Sequence, residues 1–412
     1  MESFLAVLAY GRVSALELAS VRDSNAIKFD ILKANENVAL LKCTIDEARS
    51  LARRLGGTYK IARVYASSPV ELLQNLYLPD SGRFNWTVSA YNSDVEAIDQ
   101  LKDEFLHHLK GKSIRKAKYL EPSFSEKSPD SENQIAKEEI KLSELQSRIL
   151  KPAQGTSTGI DLVLSRIDGT TLYGCTEAAS DVIGFERRDF GRSYRDPTIT
   201  LSPRIARLLV NLSATEETNT ILDPFCGLGT TLQEALVCGF NAVGVDKNAS
   251  NIEKTRTNLK WLVSEYRLSP KVKWDLLHYD VRKLDATRLP GIDAVCTEPI
   301  LLPKFGRNPS SSESDSEISK ASSVYKQAID VTKEFVMKSR GRVAIVTPSI
   351  TDSRGEEHSL SLALMMEGAA TKMYTPGVSG MRFEYPMRIE SSKKRIVNRN
   401  VYVFGSSQIP AC

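Results

Sequence analysis

Ile221-Leu222-Asp223-Pro224-Phe225-Cys226-Gly227-Leu228-Gly229-Thr230-Thr231 reads as an apolar strand that breaks into a glycine loop and then opens a helix. Two glycines with one residue between them let backbone N–H groups approach a ligand closely, and the helix that follows adds the positive end of its dipole. The loop lacks the Gly-Lys-Ser/Thr ending of a phosphate-cradling P-loop. It also lacks the third glycine of a dinucleotide fingerprint. Asp223 directly before the loop suits a ligand carrying an ammonium group rather than a pyrophosphate. Asn241-Ala242-Val243-Gly244-Val245-Asp246 is a second apolar run, ending in a carboxylate about 20 residues on, the spacing used for ribose hydroxyls. A nucleoside with an amino-acid tail satisfies both ends.

Downstream of the loop the chain alternates strand and helix at short spacing, which implies a mostly parallel sheet covered on both faces. Candidate strands are Ile221-Leu222, Ala242 to Val245, Val272 to Leu276, Ala294 to Cys296, Val343 to Val346 and Val401 to Phe404. Asp223, Asp246, Asp280 and Glu298 fall at or just past strand ends, where ligands bind in such sheets. Upstream, Ser202-Pro203 places an N-cap and a first-turn proline before the helical run to Leu212.

The 412 residues exceed one ordinary domain, and 41% hydrophobic with 26% charged residues is a globular composition. The net charge of +4 gives no global argument for nucleic acid, so any such partner must be read from local clusters. Six scattered cysteines without a C-x-x-C pair favour reduced thiols over disulfides or zinc, and no metal is expected. No run approaches the roughly 20 apolar residues of a membrane span, and the start lacks the basic residues of a signal peptide. A cytoplasmic location without membrane association is expected.

The first 80 residues read as strand, helix, strand, helix, strand, an α/β sandwich of ferredoxin-like type. A second unit, residues 81–180, opens with the alternating run Arg83 to Tyr91, then a helix over Asp94 to Leu109 and a basic cluster of Lys110, Lys112, Arg115, Lys116 and Lys118. On charge alone that cluster reads better as a solvated face than as a nucleic-acid contact. Ser123 to Glu144 is polar and reads as a flexible insertion, and Ile160 to Leu164 and Thr171 to Tyr173 read as strands around Asp168-Gly169. Residues 181–200 form a basic, aromatic-containing linker, and 201–412 the ligand-binding domain.

The Asp-Pro-Phe-Cys-Gly-x-Gly-Thr loop resembles that of S-adenosylmethionine-dependent amino-methyltransferases, and Glu298-Pro299-Ile300-Leu301 stands where that class has Asp/Asn-Pro-Pro-Tyr/Phe. Leu55 to Ile61, Phe84 to Tyr91, and Tyr173 to Thr176 leading into Asp189 to Arg192 resemble, in that order, the N-terminal ferredoxin-like and THUMP domains of tRNA guanine-N2 methyltransferases. The resemblance implies a Rossmann-like methyltransferase domain behind two RNA-binding α/β units. The implied reaction is methyl transfer to the exocyclic N2 amine of a tRNA guanosine, with position 10 as the family's usual target.

The same resemblance assigns roles. Asp223 with Phe225, Cys226, Gly227, Gly229 and Thr230 would hold the methionine part of S-adenosylmethionine, Asp246 its ribose and Asp280 its adenine. Lys247 and Asn248 fit either the adenine side or a surface turn, and His278 reads as structural. Glu298 and the carbonyl of Pro299 would accept from the base. Leu301 or Phe305 would pack on it, and Lys112, Arg115 and Lys116 would grip tRNA. Asn308 to Ser316 reads as a flexible loop beside the site, and Lys393-Lys394-Arg395 with Arg399 as phosphate contacts or a solvated turn. Some relatives require a small activating subunit, a further candidate partner. The alternatives are a DNA adenine-N6 or cytosine-N4 methyltransferase, and a donor-binding RNA-binding protein without catalysis.

Overall fold

The structure is a computed structural model that describes residues 1–78, 82–93, 95–110, 114–121, 123–124, 136–139, 145, 149–150, 159–196, 201–284, 287–289, 291–299, 302, 305–338, 341–362, 371–389 and 396–406. The chain begins β1 (Glu2–Leu8), α1 (Gly11–Asp23), β2 (Asp30–Ala34), β3 (Val38–Cys43), α2 (Ile45–Arg54) and β4 (Thr58–Ala66). These strands pair in the order β2-β3-β1-β4, all antiparallel, which is the ferredoxin-like arrangement read from the sequence. Strand β2 was not foreseen: it is an edge strand, half exposed, and its pairing with β3 rather than its own apolarity makes it extended. Helix α2 starts at a capping box between Thr44 and Glu47 and stops before Gly56-Gly57.

Next come α3 (Pro69–Asn75), β5 (Gly82–Ser93), α4 (Val95–Lys110), β6 (Ile114–Tyr119), β7 (Ser123–Phe124), β8 (Ala136–Glu139), β9 (Gly159–Ile167) and β10 (Thr170–Ala179). The β9–β10 hairpin turns through Asp168 and Gly169, both at positive φ. Strand β10 pairs antiparallel with β4, so one 10-stranded sheet runs across the boundary expected at residue 80. A buried ion pair spans the two parts: Lys60 Nζ lies 2.7 Å from Asp161, whose other oxygen accepts from Ser89 at 2.8 Å.

The stretch read as a linker carries a helix, α5 (Val182–Phe190), capped by Asp181. Helix α6 (Pro203–Ser213) begins as expected, with Ser202 Oγ accepting from Ile205 N. Then follow β11 (Thr220–Asp223), α7 (Thr230–Val237), β12 (Asn241–Asp246), α8 (Ala249–Glu265), β13 (Trp274–His278), β14 (Ala294–Thr297), α9 (Ser311–Lys338), β15 (Arg342–Thr351), β16 (Glu357–Ser359), β17 (Thr371–Met373), β18 (Met387–Ile389) and β19 (Val397–Ser406). The second sheet has the order β13-β12-β11-β14-β15-β19-β17. Strands β11 to β15 are parallel and β19 runs antiparallel beside β15. Strand order reverses on either side of β11, the switch point where an open α/β sheet forms its ligand crevice.

Asn308 to Ser316 is not a loop throughout: Ser311 onward is helical. The cause is a capping box, in which Glu313 N donates to Ser310 Oγ at 3.3 Å and Ser310 N donates to Glu313 at 2.7 Å. The two sheets share one apolar core, because α1 lies buried between the first sheet and α6, and residues from Phe4 to Val403 pack in a single cluster. No described helix is long and apolar enough to cross a membrane.

Replacing Lys60 with Met leaves the Asp161 charge buried without its cation. Loss of one partner from such a pair costs about 3–5 kcal/mol. Urea unfolding of Lys60→Met at neutral pH is expected to show a loss of that order, and a change below about 1 kcal/mol would contradict the role of the pair.

Candidate active site

Strand β11 delivers Asp223 to the start of the glycine loop, and the loop returns into α7 with Gly227 at φ +51° and Gly229 at φ +84°. Side chains are strained at such φ, and a Cβ on Gly229 would lie 2.6 Å from the Thr255 methyl. Helix α8 pins the loop from behind: Thr255 Oγ1 donates to the Gly227 carbonyl at 2.6 Å and Asn258 Nδ2 to the Leu228 carbonyl at 3.0 Å. Asn258 also bonds both the N–H and the carbonyl of Tyr194, and buried Arg192 donates to Thr230 Oγ1 at 2.8 Å. The segment before α6 is thereby tied to the loop.

The sheet ends gather the acidic residues. Asp223, 3% exposed, accepts from Thr297 Oγ1 at 2.7 Å and from Phe225 N at 3.0 Å, which joins the end of β11 to the end of β14. Burial raises its carboxyl to about 6 against the opposing pull of those bonds. Asp246 accepts from Gly227 N at 3.1 Å and from Asn248 N at 2.7 Å, so the second strand end helps to shape the first loop. Asp280 caps the short 3-10 turn Val281–Lys283 and faces Arg282, whose hydrogen bonds lower it to about 2. A capping role and a place on the cavity wall thus coincide in one residue.

A cavity of about 460 Å³ opens over these ends, within the range of sites for small organic ligands. Phe225, Gly227, Asp246, Asp280, Glu298 and Pro299 line it, with Lys247 and Asn248 at one side and Val324 and Gln327 of α9 at another. Asp223 lies just behind the wall. Cys226 is buried with its thiol pushed up by burial, and Thr230 is engaged by Arg192, so both support the loop. Gly229 serves as the N-cap of α7.

Phe305 does not meet the others at this cavity. Phe305 lines a separate hollow of about 390 Å³ with Ser312, Glu313 and Ser316, because the early start of α9 holds it there. Arg115 and Lys116 lie on β6 in the first sheet, and Leu301, Lys112 and Lys393 to Arg395 fall outside the described residues. Arg399 is no surface phosphate contact: it sits on β19 and pairs with Glu298, Nε to Oε1 at 2.6 Å and Nη2 to Oε2 at 3.3 Å. Sequence reading missed Thr297, Thr255, Asn258 and Arg192 as well. Thr297, next to the recognised motif, was the one with a local signal.

Away from the cavity, Asp352, Glu356 and His358 bring potential metal-ligating atoms together. The oxygens of Asp352 already accept from the N–H groups of Arg354 and Glu356, from Ser311 and from His358, which closes a turn.

A glycine loop led by a buried carboxylate, with further carboxylates at neighbouring strand ends, defines a Rossmann-like domain for a nucleoside ligand with a cationic tail. Residues 192–353 match the family described as RMKL-like, methyltransferase domain. The tRNA (guanine(10)-N2)-dimethyltransferase of Methanothermobacter thermautotrophicus is 34% identical over 121 residues, 29% of this chain and 33% of that protein. That of Pyrococcus abyssi is 31% identical over 174 residues, 41% of this chain and 44% of the relative. The matched part therefore spans less than half the length of these relatives. Among solved structures, a possible methylase from Clostridium difficile 630 aligns over 99% of each chain at 12% identity with a TM-score of 0.49.

The raised Asp223 carboxyl sets a sign for stability. Its folded pKa lies above its ordinary value, so the folded state binds the proton more tightly, and the contribution is lost as pH rises from about 4 to about 6. Asp223→Asn removes that term. The melting temperature of Asp223→Asn minus that of the wild type, without ligand, is expected to grow as pH rises through about 6; a flat difference from pH 4 to 8 would contradict it.

Proposed function

We propose that this chain is an S-adenosylmethionine-dependent tRNA methyltransferase acting on the exocyclic N2 amine of a guanosine, with position 10 the leading target and mono- or dimethylation as product. One observation carries the reading: the Thr297–Asp223 hydrogen bond joins the glycine loop to the Glu298-Pro299 motif, so that both border one cavity. The matched methyltransferase domain and the tRNA dimethyltransferase relatives support the class of reaction and the substrate.

The residues fit the donor by their chemistry. Asp223 and the loop backbone suit the methionine end, Asp246 the ribose hydroxyls and Asp280 the adenine amine. A sulfonium supplies an already activated methyl, so the chain's task is in-line placement of the amine and exclusion of water. Glu298 and the carbonyl of Pro299 accept from the N–H edge of the base, which aims the amine lone pair at the methyl carbon. Glu298 then takes up the proton that the base gives up as nitrogen gains the methyl, while the electron pair of the broken C–S bond stays on sulfur. The acceptor must leave its helical stack to reach such a cavity.

In this reading residues 1–80 are the ferredoxin-like unit, 81–180 a THUMP-like RNA-binding unit that uses Lys112, Arg115 and Lys116, and 201–412 the catalytic domain. The site of action is the cytoplasm, and a small activating subunit is a second candidate partner. A first sheet devoted to neither cavity nor donor favours RNA over the DNA alternatives, since it supplies a separate platform for a folded substrate.

The test is methyl transfer from radiolabelled S-adenosylmethionine to unmodified tRNA by the full chain, with mass spectrometry of the digested nucleosides. N2-methylguanosine or its dimethyl form is the expected product, and Glu298→Ala should lower kcat by about 10²- to 10⁴-fold. Label in adenine or cytosine would sink the guanine assignment. Tight donor binding with no transfer to any tRNA would leave the non-catalytic alternative standing.

A further inference from the structure

Strand β19 places Arg399 opposite Pro348 of β15, and from there its guanidinium meets the carboxylate of Glu298 beyond the end of β14. The side chains are only 16% and 8% exposed, yet Glu298 borders the cavity. Burial alone would lower the Arg399 pKa; the Glu298 charge and hydrogen bond outweigh it, with Tyr325 and Tyr10 the other titrating groups that act on it, and the net direction is up. A desolvated pair of this kind is a poor source of stability compared with apolar packing, so the presence of one member, Glu298, on the cavity wall with Arg399 behind it calls for another role.

The contact uses Nε and Nη2 of Arg399, while Nη1 makes no hydrogen bond among the described residues. The outer edge of the pair therefore offers an acceptor, the second lone pair of Glu298 Oε2, beside donors, the remaining N–H groups of Nη2 and Nη1. We infer that Arg399 and Glu298 act as one guanine-reading unit: Oε2 accepts the N1–H of the target base and the Arg399 guanidinium donates to its O6, which leaves N2 between the Pro299 carbonyl and the methyl donor. This rests on the proposed guanine chemistry and specifies how that site recognises its base.

Adenine presents the reverse order, a bare N1 acceptor beside an amino donor, and cytosine does the same with N3 and N4. Either would set lone pair against carboxylate and N–H against guanidinium. Arg399 touches the base but not the reacting methyl carbon, so it is a positioning and specificity residue. Glutamate suits the arrangement better than a shorter carboxylate, because its additional methylene carries the oxygens toward β19.

The experiment measures binding of GMP, IMP and AMP to the full chain saturated with S-adenosylhomocysteine. IMP is included because it keeps N1–H and O6 but lacks the amine. Wild type is expected to bind GMP and IMP more tightly than AMP by roughly tenfold to a hundredfold, the discrimination of one good two-point contact. Arg399→Gln should abolish that preference. Arg399→Lys, which keeps the charge but not the planar fork, should bring GMP to within about threefold of AMP. Donor affinity in both variants should stay near wild type, which a merely structural ion pair would not predict together with lost base preference. A GMP-to-AMP ratio that survives in Arg399→Lys, or a wild type with no preference, overturns the inference. Preference for GMP in a chain that methylates no tRNA sinks the tRNA reading and upholds the base reader. N2-methylguanosine formed with the ratio unchanged in the variants does the opposite.

Discussion

Helix α6 is clamped by buried charge on both sides, and the position of everything else follows from that clamp. Asn211 donates to Glu17 on α1 at 2.7 Å and accepts from Arg54 at 2.7 Å, while Glu17 also accepts from the N–H groups of Gly56 and Gly57 at 2.8 and 2.7 Å. Arg207, one turn earlier on α6, pairs with Glu234 on α7 at 2.6 Å, and Arg188 of α5 holds the other oxygen of Glu234 at 2.6 Å. Burial still leaves the Glu17 pKa raised despite these bonds. Two desolvated carboxylates are unfavourable unless every partner is in place. The first sheet, the connector and the helix behind the glycine loop are thus held in one arrangement.

The same economy of polar contacts builds the cavity. Asp223, behind the cavity wall, is held by Thr297 and Phe225 N, and Asp246, on the wall, by Gly227 N and Asn248 N, so each carboxylate also fixes the backbone of a neighbour. Preorganisation of this kind lowers the ordering cost of a ligand. It also concentrates negative charge at the switch point of the sheet, offset by Lys247, Arg282 and Arg399. An ammonium or sulfonium group would enter a site whose acceptors are already oriented.

What was legible in the sequence was local. Ser202-Pro203 gave the start of α6, Gly227 and Gly229 the left-handed turns of the loop, and Asp246 the second strand end, because each depends on neighbours within a few residues. The box Ser310–Glu313 was equally local but was hidden by a serine-rich composition that reads as loop. Asp181 likewise caps α5 inside a stretch whose Arg and Gly content suggests a linker. The contacts that were missed are long-range: Arg399 lies 101 residues from Glu298, Thr255 28 residues from Gly227, and Asn258 64 residues from Tyr194. No periodicity encodes such pairs; only the strand order brings them together.

The altered motif then has a physical explanation that does not require lost chemistry. In an Asp/Asn-Pro-Pro-Tyr/Phe motif the acceptor side chain is one methylene shorter. Here Glu298 is longer and would gain rotamer freedom, but the two-point contact with Arg399 removes that freedom. In the proposed reading the residue that aims the acceptor sits on β19, an antiparallel strand set between the parallel β15 and the edge strand β17. In the proposed reaction the amine of the base becomes strongly acidic only as it gains the methyl group, so proton uptake follows bond formation rather than driving it.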